Sequence, residues 1–286
     1  MTGDAIEQPH GHAGTGCEVA LLTKHAKQHA VAPALAGLGW SVRVTDGFDT
    51  DRLGTFSRTR PRPQSPLVCG REKARRAMAL TGLSRGLGSE GSFGGGPLPG
   101  LIPWNEELLV LVDDGIGIEL VGRAQGTFEY PHEICGDVDA VLHFVRAQPS
   151  GQHFIMRPDH ADHPDVITGL LEEREIAKAV HNCLASARNG QLVVEYDLRA
   201  DRSPTRMNRI AEAARDLVAK WRTQCPACGA PGFCVERVEP GLVCSACGLP
   251  TDQVGARIQQ CRLCVHTQHE AVPGQADPAQ CQRCNP

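Results

Sequence analysis

Aromatic side chains make up only 4% of the 286 residues, so a hydrophobic core has to be built mostly from Val, Leu, Ile and Ala. No apolar run approaches the roughly 18 residues of a membrane-spanning helix, which predicts no transmembrane segment. An excess of basic charge is also missing. The formal net charge is −4, which excludes a uniformly basic nucleic-acid binder and leaves room only for a local basic patch. Met1 to Gly16, small and polar with His10 and His12, has no basic start followed by an apolar stretch. It is therefore not a secretory leader, and is expected to be a disordered tail of a cytoplasmic protein. No Gly-Lys-Ser/Thr follows the glycine run at 94–96, so a Walker A loop is absent.

What is present divides into two regimes that meet near Thr223. The hydrophobic content of 41% suits a packed core, and the length suits one large domain plus a smaller one. Up to Arg222, short β-like runs alternate with helix-like stretches. This predicts an α/β fold with a mixed, largely parallel sheet and flanking helices over residues 17–222. Strands are expected at Val19–Leu22, Ser41–Val44, Glu107–Asp113, Ile116–Val121, Phe154–Met156 and Gln191–Tyr196. Helices are expected at Lys27–Leu38, Leu67–Leu80, Asp137–Arg146 and Leu170–Ala187. A last helix starts at the N-cap Ser203 and Pro204, with Met207, Ile210, Ala214, Leu217 and Trp221 on one face.

Beyond Thr223, Cys, Gly and Pro dominate. Thirteen cysteines without an export signal point to thiols and metal rather than disulfides. Cys225-Pro-Ala-Cys228 and Cys244-Ser-Ala-Cys247 are separated by fifteen residues, Cys261-Arg-Leu-Cys264 and Cys281-Gln-Arg-Cys284 by sixteen. Two matched C-x2-C…C-x2-C sets predict two zinc ribbons over residues 223–286. Each would be a tetrahedral four-thiolate site holding one structural zinc, with the first two pairs making one site and the last two the other. Such a segment has little core of its own, so metal binding supplies its folding energy. Redox chemistry of the pairs is the alternative reading. Cys234, His266 and His269 could substitute as ligands, whereas Cys17, Cys69, Cys135 and Cys183 read as isolated thiols. The segment from Cys225 has four basic and five acidic residues, and each four-thiolate zinc adds −2. It would repel a phosphate backbone, and fits scaffolding or a protein partner better.

In α/β sheets, ligands bind at the carboxyl ends of strands. Four polar stretches are expected there: Thr23–Lys27 with His25; Asp46–Arg62 with Asp49, Asp51, Arg52 and Thr55; Ser89 to Gly96 with Glu90, Gly91, Ser92 and Gly94; and Asp197–Arg199 running into Thr205 and Arg206. Each has a local explanation as a turn, cap or flexible loop. Between Arg52 and Arg85 nine basic residues face one acid, Glu72. A solvated helix face, a nucleic-acid patch or an anionic ligand would each account for that. Lys27, Arg52, Thr55, Ser89, Gly91, Ser92, Gly94, Arg199, Thr205 and Arg206 are the candidate anion-binding residues. His25, Asp49, Asp51, Glu90 and Asp197 are the candidate catalytic groups. Of these, Asp49, Asp51, Glu90 or Asp197 could hold Mg2+. The leading expectation is a phosphorylated or otherwise anionic small molecule, with Mg-assisted hydrolysis or transfer as its chemistry. The alternative is a non-enzymatic scaffold that docks partners through the ribbons.

At these residues the sequence resembles family 6671 of the domains of unknown function, a mainly bacterial family. The resemblance runs from about Cys17 to Pro286. It is carried by Asp49-Thr50-Asp51-Arg52-Leu53-Gly54-Thr55-Phe56, Ser89-Glu90-Gly91-Ser92-Phe93-Gly94, Asp197-Leu198-Arg199-Ala200 with Ser203-Pro204-Thr205-Arg206-Met207, the cysteine knuckles, and the closing Cys284-Asn285-Pro286. The resemblance implies no activity. Related chains place Pro-His-Pro after the Ser-Phe-Gly run where this one has Gly95-Gly96-Pro97, and a Lys-Glu pair where this one has Lys27-Gln28.

Overall fold

The structure, a computed structural model, describes residues 17–48 and 64–286. The first layer is built from β1 (Cys17–Leu22), α1 (Gln28–Ala36), β2 (Trp40–Thr45), α2 (Pro66–Thr81), β3 (Arg85–Phe93), β4 (Trp104–Asp113) and β5 (Ile118–Thr127). The strands form a mixed sheet in the order β2-β1-β3-β4-β5. β1 runs parallel to both β2 and β3, whereas β3, β4 and β5 pair antiparallel. Helices flank it as expected, and parallel pairing is confined to its first half.

Alternation along β1 decides which helix covers which face. Val19 and Leu21 pack with Val31 and Leu35 of α1 and with Ile210 and Leu217 of α5 (Pro204–Arg222). Ala20 and Leu22 pack with Ala77 of α2 on the other side. The helix that follows β1 and the helix that precedes β3 therefore lie on opposite faces. With the order β2-β1-β3, this makes the gap between the carboxyl ends of β1 and β3 the topological switch point of the sheet.

Helix α2 begins where Ser65 accepts from the Val68 amide at 3.4 Å and stops at Gly82, whose φ is +73°. It lies close on β3 because Gly70 and Gly88 face each other. A Cβ at Gly88 would overlap the Gly70 carbonyl, and one at Gly86 the Ala74 carbonyl. These glycines correct the expectation of a loop at Ser89–Gly96: residues 85–93 are strand, paired from Arg85↔Asp113 to Phe93↔Asn105. A strand read as Arg-Gly-Leu-Gly-Ser-Glu-Gly-Ser carries little apolar alternation, because Gly86 and Gly88 face helix backbone and, on the other side, Leu87 alone among these residues joins the hydrophobic core.

Residues 132–196 form a second sheet from β6 (His132–Cys135), β7 (Phe154–Pro158), β8 (Ile167–Leu170) and β9 (Leu192–Tyr196). Its order is β6-β9-β7-β8, and every pair is antiparallel. Helices α3 (Val138–Arg146) and α4 (Glu173–Ser186) cover it, with Phe144, Phe154, Met156, Ile176 and Val180 in a core of its own. Ser203 does precede α5, but its side chain makes no cap; the hydroxyl is buried with no hydrogen-bond partner among the described residues. The remainder is a three-stranded antiparallel sheet of β10 (Cys234–Pro240), β11 (Val254–Gln260) and β12 (Thr267–Ala271). Among the described residues no helix is long and apolar enough to cross a membrane.

Candidate functional site

The eight knuckle cysteines form two groups, but not the expected ones. Cys225 and Cys228 meet Cys261 and Cys264, while Cys244 and Cys247 meet Cys281 and Cys284. The sites interleave along the chain because of strand register. Cys234 pairs with Gln260, so β10 leaves the first knuckle where β11 enters the third. At the opposite end Pro240 pairs with Val254, and the connection between them carries the second knuckle. Odd and even knuckles are thus sorted to opposite ends of the small sheet. Cys234, His266 and His269 belong to neither group, and the His266 ring stacks on Phe233 at 5.8 Å.

The thiol geometry fits a four-coordinate metal. Sγ–Sγ separations are 3.6 Å for Cys225–Cys264 and Cys228–Cys261, 3.7 Å for Cys247–Cys281 and 3.9 Å for Cys244–Cys284. A tetrahedron with bonds of about 2.3 Å has edges of about 3.8 Å, whereas a disulfide would need about 2.05 Å. Backbone amides support the sulfurs: Leu263 and Cys264 donate to Cys261, and Ala246 donates to Cys244. The amides of Cys284 and Arg283 pull the Cys281 thiol down to about 7. Gly229 and Gly248 turn out of the first two knuckles at φ near +70°, as the spacing predicts. Cys225 and Cys261 also join the main core beside Leu120 and Phe233.

The second constellation lies at the β1–β3 switch point. The chain leaves β1 through Thr23, Lys24 and His25, and Ala26 adopts φ +50°, an unusual conformation for a residue with a Cβ. That twist carries Lys27 inward until it is only 6% exposed. Its amine donates to the Ser89 carbonyl at 3.0 Å and meets the Ser89 hydroxyl at 3.2 Å. On the same side of β3, Gly91 sits opposite Glu107 of β4, and a Cβ there would run into the Glu107 carboxylate. Glu107 is fully buried and pairs with Arg206 of α5 at 2.6 Å. Asn105 donates to it at 3.2 Å, and the carbonyl oxygen of this buried amide has no partner among the described residues. Arg206 also donates to the Leu198 carbonyl and lies over the Phe93 ring. From the other face Lys73 of α2 reaches Glu90 at 2.5 Å.

Burial is the main cause that lowers the Lys27 amine to about 7, and the positive charges of Arg206 and Lys73 push it the same way. This has a sign for stability. Between about 7 and its unfolded value of 10.5 the unfolded chain holds a proton that the folded chain does not. The Lys27 contribution therefore makes stability rise with pH across that window. Lys27→Met is expected to remove the slope and to stabilise the protein most at or below pH 7, where the buried charge is fully present; denaturant titrations at pH 7 and 9.5 check this.

Not every sequence candidate converges here. Asp49, Asp51, Arg52 and Thr55 lie outside the described residues. His25 meets Asp201 at 3.2 Å. Asp197 is buried and closes a local turn, accepting from the amides of Gly169 and Arg199 and from the Arg199 guanidinium at 2.5 Å. Thr205 and Gly94 are exposed, and Ser92 gives its carbonyl to Asn105. Within the basic segment, Arg71 pairs with Glu119, Lys73 with Glu90, Arg75 with Asp114, Arg76 with Glu72 and Arg85 with Asp113. Sequence reasoning missed Glu107 and Asn105. Glu107 opens a run of Leu and Val on the inward face, and a lone carboxylate at such a position is the signal that a buried cation must meet it.

A crevice of about 480 Å3 opens beside this cluster, lined by Thr23, Lys24, Ala26, Gln28, Val44 and Asp46 at the carboxyl ends of β1 and β2. The side-chain carbonyl of Gln28 is buried with no hydrogen-bond partner among the described residues. One family model matches the chain. Its model, described as a domain of unknown function (DUF6671), matches residues 73–286. No curated protein and no solved structure matches the chain. The match runs from Lys73 and the β3 cluster through both cysteine centres, so the chain belongs to the DUF6671 family.

Proposed function

We propose that the crevice at the carboxyl ends of β1 and β2 binds a phosphorylated or otherwise anionic small molecule, and that the two cysteine centres hold structural zinc. The observation that supports the first part is a crevice at the carboxyl ends of β1 and β2, where α/β sheets bind ligands, lined by Thr23, Lys24, Ala26 and Gln28 of the same turn that carries Lys27. Arg206 and Arg199 are already paired with Glu107 and Asp197. Lys24 is the cation among the crevice-lining residues, and Lys27 sits in the chain between Ala26 and Gln28, which line it too. Glu90, 3% exposed and held by Lys73 from the other face of β3, does not line the crevice; Asp46 is the described carboxylate that does, and it would receive a hard cation such as Mg2+ beside a phosphate. The zinc reading follows from four thiolates per centre, a closed coordination shell that leaves no position for substrate.

A panel of nucleoside triphosphates, sugar phosphates and dicarboxylates, each with and without Mg2+, tests the ligand reading by thermal shift. A ligand at 100 times its dissociation constant stabilises by about 2.7 kcal/mol. At least one phosphorylated compound is expected to give that shift, and Lys27→Met to remove it. A flat response to the whole panel overturns the reading.

A further inference from the structure

The Lys27 amine raises a question of donor count that nothing so far answers. An ammonium has three N–H donors; a neutral amine has two donors and a lone pair. Among the described residues the amine has two hydrogen-bond contacts, both on Ser89. Those two satisfy the neutral form. The ammonium would leave one N–H with no acceptor in a position that is 94% buried, a costly arrangement. The carboxylates near enough to attract it, Glu107 and Glu90, are engaged by Arg206 and Lys73. The groups facing the amine from β3, β4, α2 and α5 are thus two anions and two cations already in pairs. No third acceptor lies among the described residues, and the chain neighbours Ala26 and Gln28 line the crevice through which one would come.

We propose that an anion bound in this crevice supplies the missing acceptor to Lys27, and that one proton is taken up from solution as it binds, converting the amine to the ammonium. The proton comes from a buffer acid and goes onto the nitrogen lone pair; no other bond changes. This rests on the reading of the crevice as an anion site and adds to it a stoichiometry. It also selects the class of ligand. An anionic oxygen that can sit against a desolvated ammonium is favoured, and a neutral hydroxyl or amide gains nothing from the proton.

Calorimetric titration of the full-length, metal-loaded protein tests this, with ATP and a sugar phosphate as probes. Between pH 8 and 9.5 both probes are fully ionised, since the last phosphate proton leaves near pH 6. The binding heat is expected to vary with the ionisation enthalpy of the buffer, giving uptake of close to one proton. Affinity is expected to fall about tenfold per pH unit, because only the protonated fraction is competent. Lys27→Met should abolish the uptake, while His25→Asn should preserve it. Binding with buffer-independent heat and a flat pH profile overturns the proton proposal and leaves the anion site standing. Uptake that persists in Lys27→Met, or vanishes in His25→Asn, overturns it as well. No binding of any anion at any pH removes the anion site itself, and the proton proposal with it.

Discussion

Replacing Cys261 with Ser is expected to unfold the first α/β layer, whereas Cys281→Ser is expected to loosen only the far end of the cysteine module. Both changes remove one thiolate from a four-thiolate centre, and binding at such a centre is worth about 10–16 kcal/mol of folding free energy. That matches or exceeds the 5–15 kcal/mol that holds a typical domain together. The difference lies in what each centre touches. Cys225 and Cys261 are packed in the same cluster as Leu120, Leu217 and Phe233, and a Cβ at Gly232 would run into Leu120. Cys244 and Cys281 are buried, yet they join none of the hydrophobic clusters of the α/β layers. Hydrogen exchange resolved by segment provides the measurement. Protection of β4, β5 and α5 should be lost in Cys261→Ser and kept in Cys281→Ser. Equal protection in the two variants would show that the centres are energetically equivalent, and a strong chelator should reproduce the more damaging outcome.

Breaking the Arg206–Glu107 pair from one side should cost about 3–5 kcal/mol, because the surviving charge has no route to water. Arg206 is 2% exposed and Glu107 is fully buried, so neither can turn outward. Removing both at once, as Arg206→Met with Glu107→Leu, should cost far less than either single change, since a well-packed apolar pair can replace a buried ion pair. Urea unfolding of the two single variants and the double variant forms the cycle. Additive losses would mean that the two side chains act independently. Glu107→Gln carries a second consequence: it strips a negative charge from the neighbourhood of Lys27 and pushes that amine further toward its neutral form.

The two halves of the candidate site differ in how readily they can be read from the chain. Metal-ligating cysteines announce themselves because two residues between thiols is a local constraint, visible without knowing the fold. Which knuckles share an ion is a nonlocal fact, set by the pairing of Cys234 with Gln260, and near-equal spacings of fifteen and sixteen residues point to the wrong partners. Helix α5 was legible from its apolar face and Pro204. The partner of its Arg206 was not, since Glu107 lies in a strand some 99 residues earlier. The stretch from Ser89 to Gly96 reads as a flexible loop because a strand with Gly86, Gly88 and Gly91 pressed against its neighbours uses the same small residues that a loop does. Lys27, in contrast, is a candidate on a simple rule, that polar residues directly after a buried strand are where ligands meet an α/β sheet, and the structure buries its amine against Ser89.

The interleaving of the cysteine centres sets an order of events during synthesis. The first centre stays open until Cys264 leaves the ribosome, by which point the second knuckle has already emerged and must wait for the fourth. Neither four-thiol group is complete while the α/β layers alone have been made, so those layers stay without the brace at Cys225 and Cys261 until the third knuckle follows. A metal ion that closes the first group would therefore act on layers whose strands and helices are already in place.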